Sequence, residues 1–128
     1  MNNTVNYAER KTFVKYDDGH FLLYLNEQEA EFQTAGEDGL PGETVQGYSY
    51  TGEEADGSTK IAASGVTDAN RRDKFIAGLI GLSFDIDAQI AILANDGDTE
   101  IHAQELESYK ACRANCKAAV DELLGRTI

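Results

Sequence analysis

The spacing of apolar residues changes once along this chain, and that change constrains the fold more than any motif does. Up to about residue 66 the apolar residues come in short runs broken by Gly, Asp and Asn, which suits strands and turns. Beyond it they recur at intervals of three and four, which suits helices. Charge follows the same division. Between Tyr16 and Thr59 there is no Lys or Arg, yet eleven of the 23 acidic residues lie there. The expectation is an acidic β half followed by a helical half.

In the first half, Lys11-Thr12-Phe13-Val14-Lys15-Tyr16 and Phe21-Leu22-Leu23-Tyr24-Leu25 flank Asp17-Asp18-Gly19-His20. An Asp-Gly pair between β-rich runs predicts a hairpin, with Gly19 supplying a positive φ. Phe21, Leu23 and Leu25 fall on one face of the second run and Leu22 and Tyr24 on the other, so both faces should be covered. Glu29-Ala30-Glu31-Phe32 suggests a short strand, and residues 36–42 a turn holding the only proline. Val45–Tyr50 and Ser58–Ala63 read as two further strands joined by a turn at 52–57, a second hairpin. Four or five strands in an antiparallel meander is the simplest arrangement.

The helical half opens near Thr67 or Asp68, either of which can cap. Phe75, Ile76, Leu79 and Ile80 form one apolar face, and Gly78 and Gly81 in the same segment suggest close packing. Ser83 is the expected N-cap of a second helix, with Asp85 and Asp87 in its first turn and Ile86, Ile90 and Leu93 as its buried stripe. Asn95-Asp96-Gly97-Asp98 ends it. Thr99 opens a third helix in which Leu106, Tyr109, Arg113, Cys116, Val120 and Leu123 make a heptad-like seam, and Gly125 stops it. The second and third helices should form an antiparallel αα-hairpin.

Function classes narrow next. A net charge of −12 leaves too few cations for phosphate contacts or an anionic membrane surface, so neither nucleic acid nor membrane is an expected partner. Met1-Asn2-Asn3-Thr4-Val5-Asn6-Tyr7 has no basic start and no apolar run, so no secretory signal is expected. Cys112 and Cys116 sit four apart on a helix, a geometry that disfavours a bridge, and read as reduced, buried small side chains. They resemble half a zinc site whose other ligands are missing, since His102 lies too far along the helix to join them. Asp96-Gly97-Asp98-Thr99-Glu100 lacks the register of a calcium loop and reads as a helix end followed by an acidic first turn. No cofactor and no catalytic residue are expected.

The segments Phe84-Asp85-Ile86-Asp87-Ala88-Gln89-Ile90-Ala91-Ile92-Leu93 and Glu105-Leu106-Glu107-Ser108-Tyr109-Lys110-Ala111-Cys112-Arg113 resemble the C-terminal helices of small bacteriophage or prophage proteins of the tail and tail-fibre-assembly type. The likeness spans Lys74 to Ala118. It implies a structural or accessory role through protein–protein contacts, in a bacterial cytoplasm or on a virion. The combined expectation is a single α+β domain over 1–128: an antiparallel β-meander at 8–66 packed with three helices at 67–126. It is not expected to be an enzyme, and its partner is a protein or a second copy. The candidate interface is the seam Leu106, Tyr109, Arg113, Cys116, Val120 and Leu123, with Arg113 either snorkelling or pairing across chains. The alternative is a small-ligand or sugar-binding module whose surface is Tyr24, Tyr48 and Tyr50, although cross-strand aromatic packing is the favoured reading of these tyrosines. A small enzyme built on scattered carboxylates has no pattern in its favour.

Overall fold

Residues 2–36 and 39–127 are described by the computed structural model. Among them are β1 (Asn3–Tyr7), β2 (Phe13–Asp17), β3 (His20–Leu23), β4 (Gln28–Ala35), β5 (Pro41–Gly52), β6 (Thr59–Ala62), α1 (Arg71–Gly81), α2 (Ile86–Asn95) and α3 (Glu100–Leu124). The strands pair antiparallel, so the α+β class stands. They divide between two three-stranded sheets, ordered β1-β5-β4 and β2-β3-β6. Glu37 and Asp38 of the expected 36–42 turn, with Met1 and Ile128, lie outside the described residues.

The first hairpin forms where Asp17-Asp18-Gly19-His20 places it, pairing Phe13 with Leu23 and Lys15 with Phe21. Its closure differs from expectation, because Gly19 is not at positive φ. The Asp17 carboxylate accepts the Gly19 N–H at 2.9 Å instead, an Asx turn that reverses the chain without a left-handed residue.

The second expected hairpin does not form. Both edges of β5 are occupied, by β1 from Asn3↔Gly52 to Tyr7↔Tyr48 and by β4 from Gln28↔Ser49 onward. β6 therefore has no edge of β5 to join. It pairs with β3, Ile61 opposite Phe21. The 52–57 turn carries the chain between the sheets: a Cβ on Gly52 would lie 2.2 Å from the Ser58 carbonyl oxygen, and Gly57 sits at φ +82°. β1 itself escapes the sequence reading because two of its five residues are Asn, which strands disfavour. The β region accordingly begins at Asn3 rather than at residue 8.

The core lies between the β2-β3-β6 sheet and the helices. Phe21, Leu23 and Ile61 meet Phe75, Ile76, Leu79 and Ile80 of α1. The rings of Phe13, Phe21 and Phe75 stand 5.1–6.2 Å apart. Gly78 lets α1 approach β6, since a Cβ there would fall 2.7 Å from the Ala62 carbonyl oxygen; Gly81 has no such neighbour. Val120 and Leu123 of α3 close the core. Leu23, Ile61, Phe75, Val120 and Leu123 are fully buried, each worth about 1.5–3 kcal/mol.

The helix starts follow local chemistry. Thr67 Oγ1 accepts the Asn70 N–H at 3.3 Å while Asn70 Oδ1 accepts the Thr67 N–H at 2.6 Å, and α1 begins after that exchange, at Arg71. Asp85, not Ser83, caps α2: its carboxylate accepts the Ala88 N–H at 2.7 Å, whereas Ser83 is still held by α1 through its N–H to the Ile80 carbonyl. Thr99 caps α3 as expected, and Gly125 ends it.

One buried cation joins the two halves. The Arg126 side chain, just beyond α3, is fully enclosed. It donates to the carbonyls of Lys11 at 2.9 Å and Tyr24 at 2.7 Å, and to the Glu122 carboxylate. Glu27 lies 3.5 Å away and is itself gripped by Arg10 and by the Tyr50 hydroxyl. Removing one partner of a buried ion network strands the rest. Arg126→Ala should therefore lower unfolding free energy by about 3–5 kcal/mol in a denaturant titration. A loss below about 1 kcal/mol, typical of exposed pairs, would show that the latch is not closed in solution.

Candidate functional site

α2 is apolar on every side: Ile86, Ala88, Ile90, Ala91, Ile92, Leu93 and Ala94 surround its axis. Periodicity alone does not choose which face such a helix buries. Tertiary contacts choose it. Gln89 Oε1 accepts the Tyr109 hydroxyl at 3.0 Å, Gln89 Nε2 donates to the Phe84 carbonyl, and the Phe84 ring meets the Tyr109 ring edge-on at 5.5 Å. These contacts rotate Ile92 inward, to 6% exposure. They rotate the expected buried stripe outward: Ile86 is 68%, Ile90 61% and Leu93 55% exposed. Ile86, Ile90 and Leu93 share one helix face, and Leu82 before α2 and Ile101 at the start of α3 are exposed as well. Grouped exposed apolar side chains of this size mark contact surfaces.

The seam of α3 is mostly spent inside the chain. Tyr109, Val120 and Leu123 are buried, Leu106 and Cys116 half-buried, and Arg113 exposed. The structure thus brings the seam's apolar members into the core and leaves its cation at the surface. Little of the seam is left free for the interface expected there; among the helices the exposed aliphatic face lies on α2, whose stripe is expected inside.

Tyr24, Tyr48 and Tyr50 do not form an exposed platform. Tyr50 is fully buried and Tyr24 nearly so, in a cluster with Tyr7 whose centroids are 5.6–6.0 Å apart. The rings pack where β1, β5 and the chain after β3 converge, and their hydroxyls are engaged. Tyr24 donates to the Asp56 carboxylate at 3.0 Å, Tyr7 to the Asp56 carbonyl at 2.6 Å, and Tyr50 to Glu27 at 2.7 Å. Tyr50 also accepts the Lys11 N–H. Tyr48 is half-buried, with the Arg10 guanidinium 5.6 Å from its ring centre. The surface proposed from sequence is corrected on burial.

The two carboxylates beneath these rings, Glu27 and Asp56, were not singled out by sequence, where they are two of eleven acids in the same stretch. Burial pushes Glu27 up, but hydrogen bonds from Arg10 and Tyr50 outweigh it and hold its carboxyl below the ordinary range. Burial likewise opposes Asp56, and hydrogen bonds from Ser58 and Tyr24 prevail.

Cys112 and Cys116 are free thiols whose sulfurs stand 3.9 Å apart, both half-buried. Burial first, and Cys112 second, push the Cys116 thiol up to about 11, which suits packing rather than nucleophilic work. His102 faces Asp98, one turn before it, and not the thiols. Asp96 at φ 49° and Gly97 at φ 67° form the left-handed end of α2. Among the described residues no three His, Cys, Asp or Glu side chains gather as a metal site, and no single helix is long and apolar enough to cross a membrane.

No protein-family model, curated protein or solved structure matches this chain.

The tyrosines offer a pH test. Burial, reinforced by the hydrogen bonds to Asp56 and Glu27, pushes Tyr24 and Tyr50 up to about 12. Unfolded tyrosine ionises near 10, so the folded state keeps protons that the unfolded state loses. Stability is full below pH 10 and falls as pH rises toward 12. Ultraviolet titration should show Tyr24 and Tyr50, together with Tyr7, which burial also raises, ionising later than the other tyrosines, and one late tyrosine fewer in Tyr24→Phe. Titration of all six tyrosines together near pH 10, with the fold intact by circular dichroism, would contradict this burial.

Proposed function

We propose that this chain is a non-enzymatic structural or accessory protein that acts through protein–protein contacts, and that the contact surface is the outer face of α2. The observation that carries this reading is the exposure of Ile86, Ile90 and Leu93 on a helix whose rotation is fixed by the Gln89–Tyr109–Phe84 contacts. Three large aliphatic side chains in water on one face stabilise nothing in the isolated chain, and burying each against a partner is worth about 1.5–3 kcal/mol. The affiliation with bacteriophage tail or tail-fibre-assembly proteins belongs to the same proposal and is supported by the residues of the α2–α3 hairpin. The half-buried carboxylates Glu27 and Asp56 bind side chains from other segments, Arg10 and Tyr50 for Glu27 and Tyr24 for Asp56, a bracing role. The ligand-binding alternative loses its main support with the burial of Tyr24 and Tyr50.

A photo-crosslinking amino acid placed at Ile90 or Leu93 should give one discrete protein adduct in the native cell. The same group at Glu43 in β5 should not. Adducts from β5 and none from α2 would move the contact surface elsewhere. Stability separates the faces independently. Ile90→Ser should change unfolding free energy by no more than about 0.5 kcal/mol, as exposed substitutions do. Ile92→Ser should cost about 2–5 kcal/mol, as core truncations do.

A further inference from the structure

Beside the outer face of α2 runs a groove of about 360 Å³ between α1 and the α2–α3 hairpin. Its floor is apolar, made by Ile76, Ala77, Ile80 and Ile86. Its wall is not typical of this chain. Arg72, Arg113 and Lys117 line it against a single carboxylate, Asp73, in a protein of net charge −12. Arg72 is held by Asp121 at 2.6 Å and 3.2 Å. Asp121 is also near enough to Lys117 to feel its charge. Among the described residues neither Arg113 nor Lys117 makes an ion pair, and they lie one turn apart on α3, with Lys110 one turn earlier on the same side. Ile86 belongs to both the groove and the exposed α2 face, so the two surfaces are continuous.

We propose that this groove receives an acidic amphipathic helix of a partner protein, its apolar side chains on Ala77 and Ile86 and its carboxylates on Arg113 and Lys117. The inference rests on the reading of α2 as a contact surface and names the chemistry of its partner. Charge complementarity selects the occupant. A basic segment would meet unpaired cations on the wall, and like charges across an interface are costly. Beyond about 8–10 Å, salt screens the remainder of the acidic surface, so the local wall governs the encounter.

The test uses the whole protein and three synthetic helical peptides. One carries Leu at spacings of three and four flanked by Glu, the second has every Glu replaced by Lys, and the third has every Leu replaced by Ser. Fluorescence anisotropy should show that the Glu/Leu peptide binds best, more weakly as salt rises, and that both other peptides bind at least about tenfold worse. Arg113→Glu with Lys117→Glu should weaken the Glu/Leu peptide by about tenfold or more and improve the Lys/Leu peptide. Arg113→Gln with Lys117→Gln, which removes charge without adding it, should fall between, with unchanged circular dichroism in both variants. Equal binding of the Glu and Lys peptides would overturn the acidic-partner inference, while adducts at Ile90 in cells would still uphold α2 as a contact surface. Failure of every peptide to bind, or a wild-type dimer in sedimentation that the Glu/Leu peptide cannot dissociate, would also overturn it.

Discussion

The Arg126 guanidinium is the contact on which the arrangement of the halves depends. Its carbonyl acceptors at Lys11 and Tyr24 lie in the segments flanking β2 and β3, and Glu122 lies on the last turn of α3. Through Glu27 and the Tyr50 hydroxyl the same network reaches β5, the central strand of the other sheet. Two sheets and a helical layer therefore meet at one charged centre. Arg is suited to it, because a planar guanidinium can donate in several directions at once. The enclosed charge is tolerable because carboxylates and carbonyls surround it.

Fixing the end of α3 there has consequences along the helix. Val120 and Leu123 are drawn into the core against α1, and Tyr109, further back on the same helix, faces α2. Tyr109 is then the post against which α2 is oriented, through Gln89 and Phe84. The exposed face of α2 follows from a polar contact rather than from hydrophobicity: the helix has apolar residues to bury on any side, and the hydrogen bond selects one. On the other sheet the outer strand β4 has mostly exposed side chains and carries Glu29 and Glu31. Such charge blunts the open edge of β4 against strand addition.

How much of this was legible in the sequence depends on whether the deciding interaction was local. The position of the Asp17–Gly19 turn, the Thr99 cap, the α1 face and the end of α2 at Asp96 and Gly97 are set within a few residues and are legible; the closure of the first turn is not, since Gly19 does not supply a positive φ. The β5 pairing differs from the expected one because strand neighbours are settled by competition among distant segments, and β1, rich in Asn, gives too weak a signal to enter that competition. The α2 face differs from the expected one because a helix apolar all round carries no period. For the tyrosines the sequence favours cross-strand packing and leaves a ligand surface as the alternative; packing prevails, with hydroxyls that find Glu27 and Asp56 from other segments of the β half. Close packing at Gly78, by contrast, was visible, since a glycine inside an otherwise good helix needs a reason.

The claim that most needs a direct measurement is that the outer face of α2 is bare in the free protein. Solvent paramagnetic relaxation of assigned isoleucine methyl groups, recorded on a dilute sample, reads it one residue at a time. Ile86, Ile90 and Ile101 should relax strongly, while Ile61, Ile76, Ile80 and Ile92 remain shielded in the core. Protection of Ile86 and Ile90 equal to that of Ile92 would mean that α2 turns its stripe inward after all, and the contact surface argued from it would not exist.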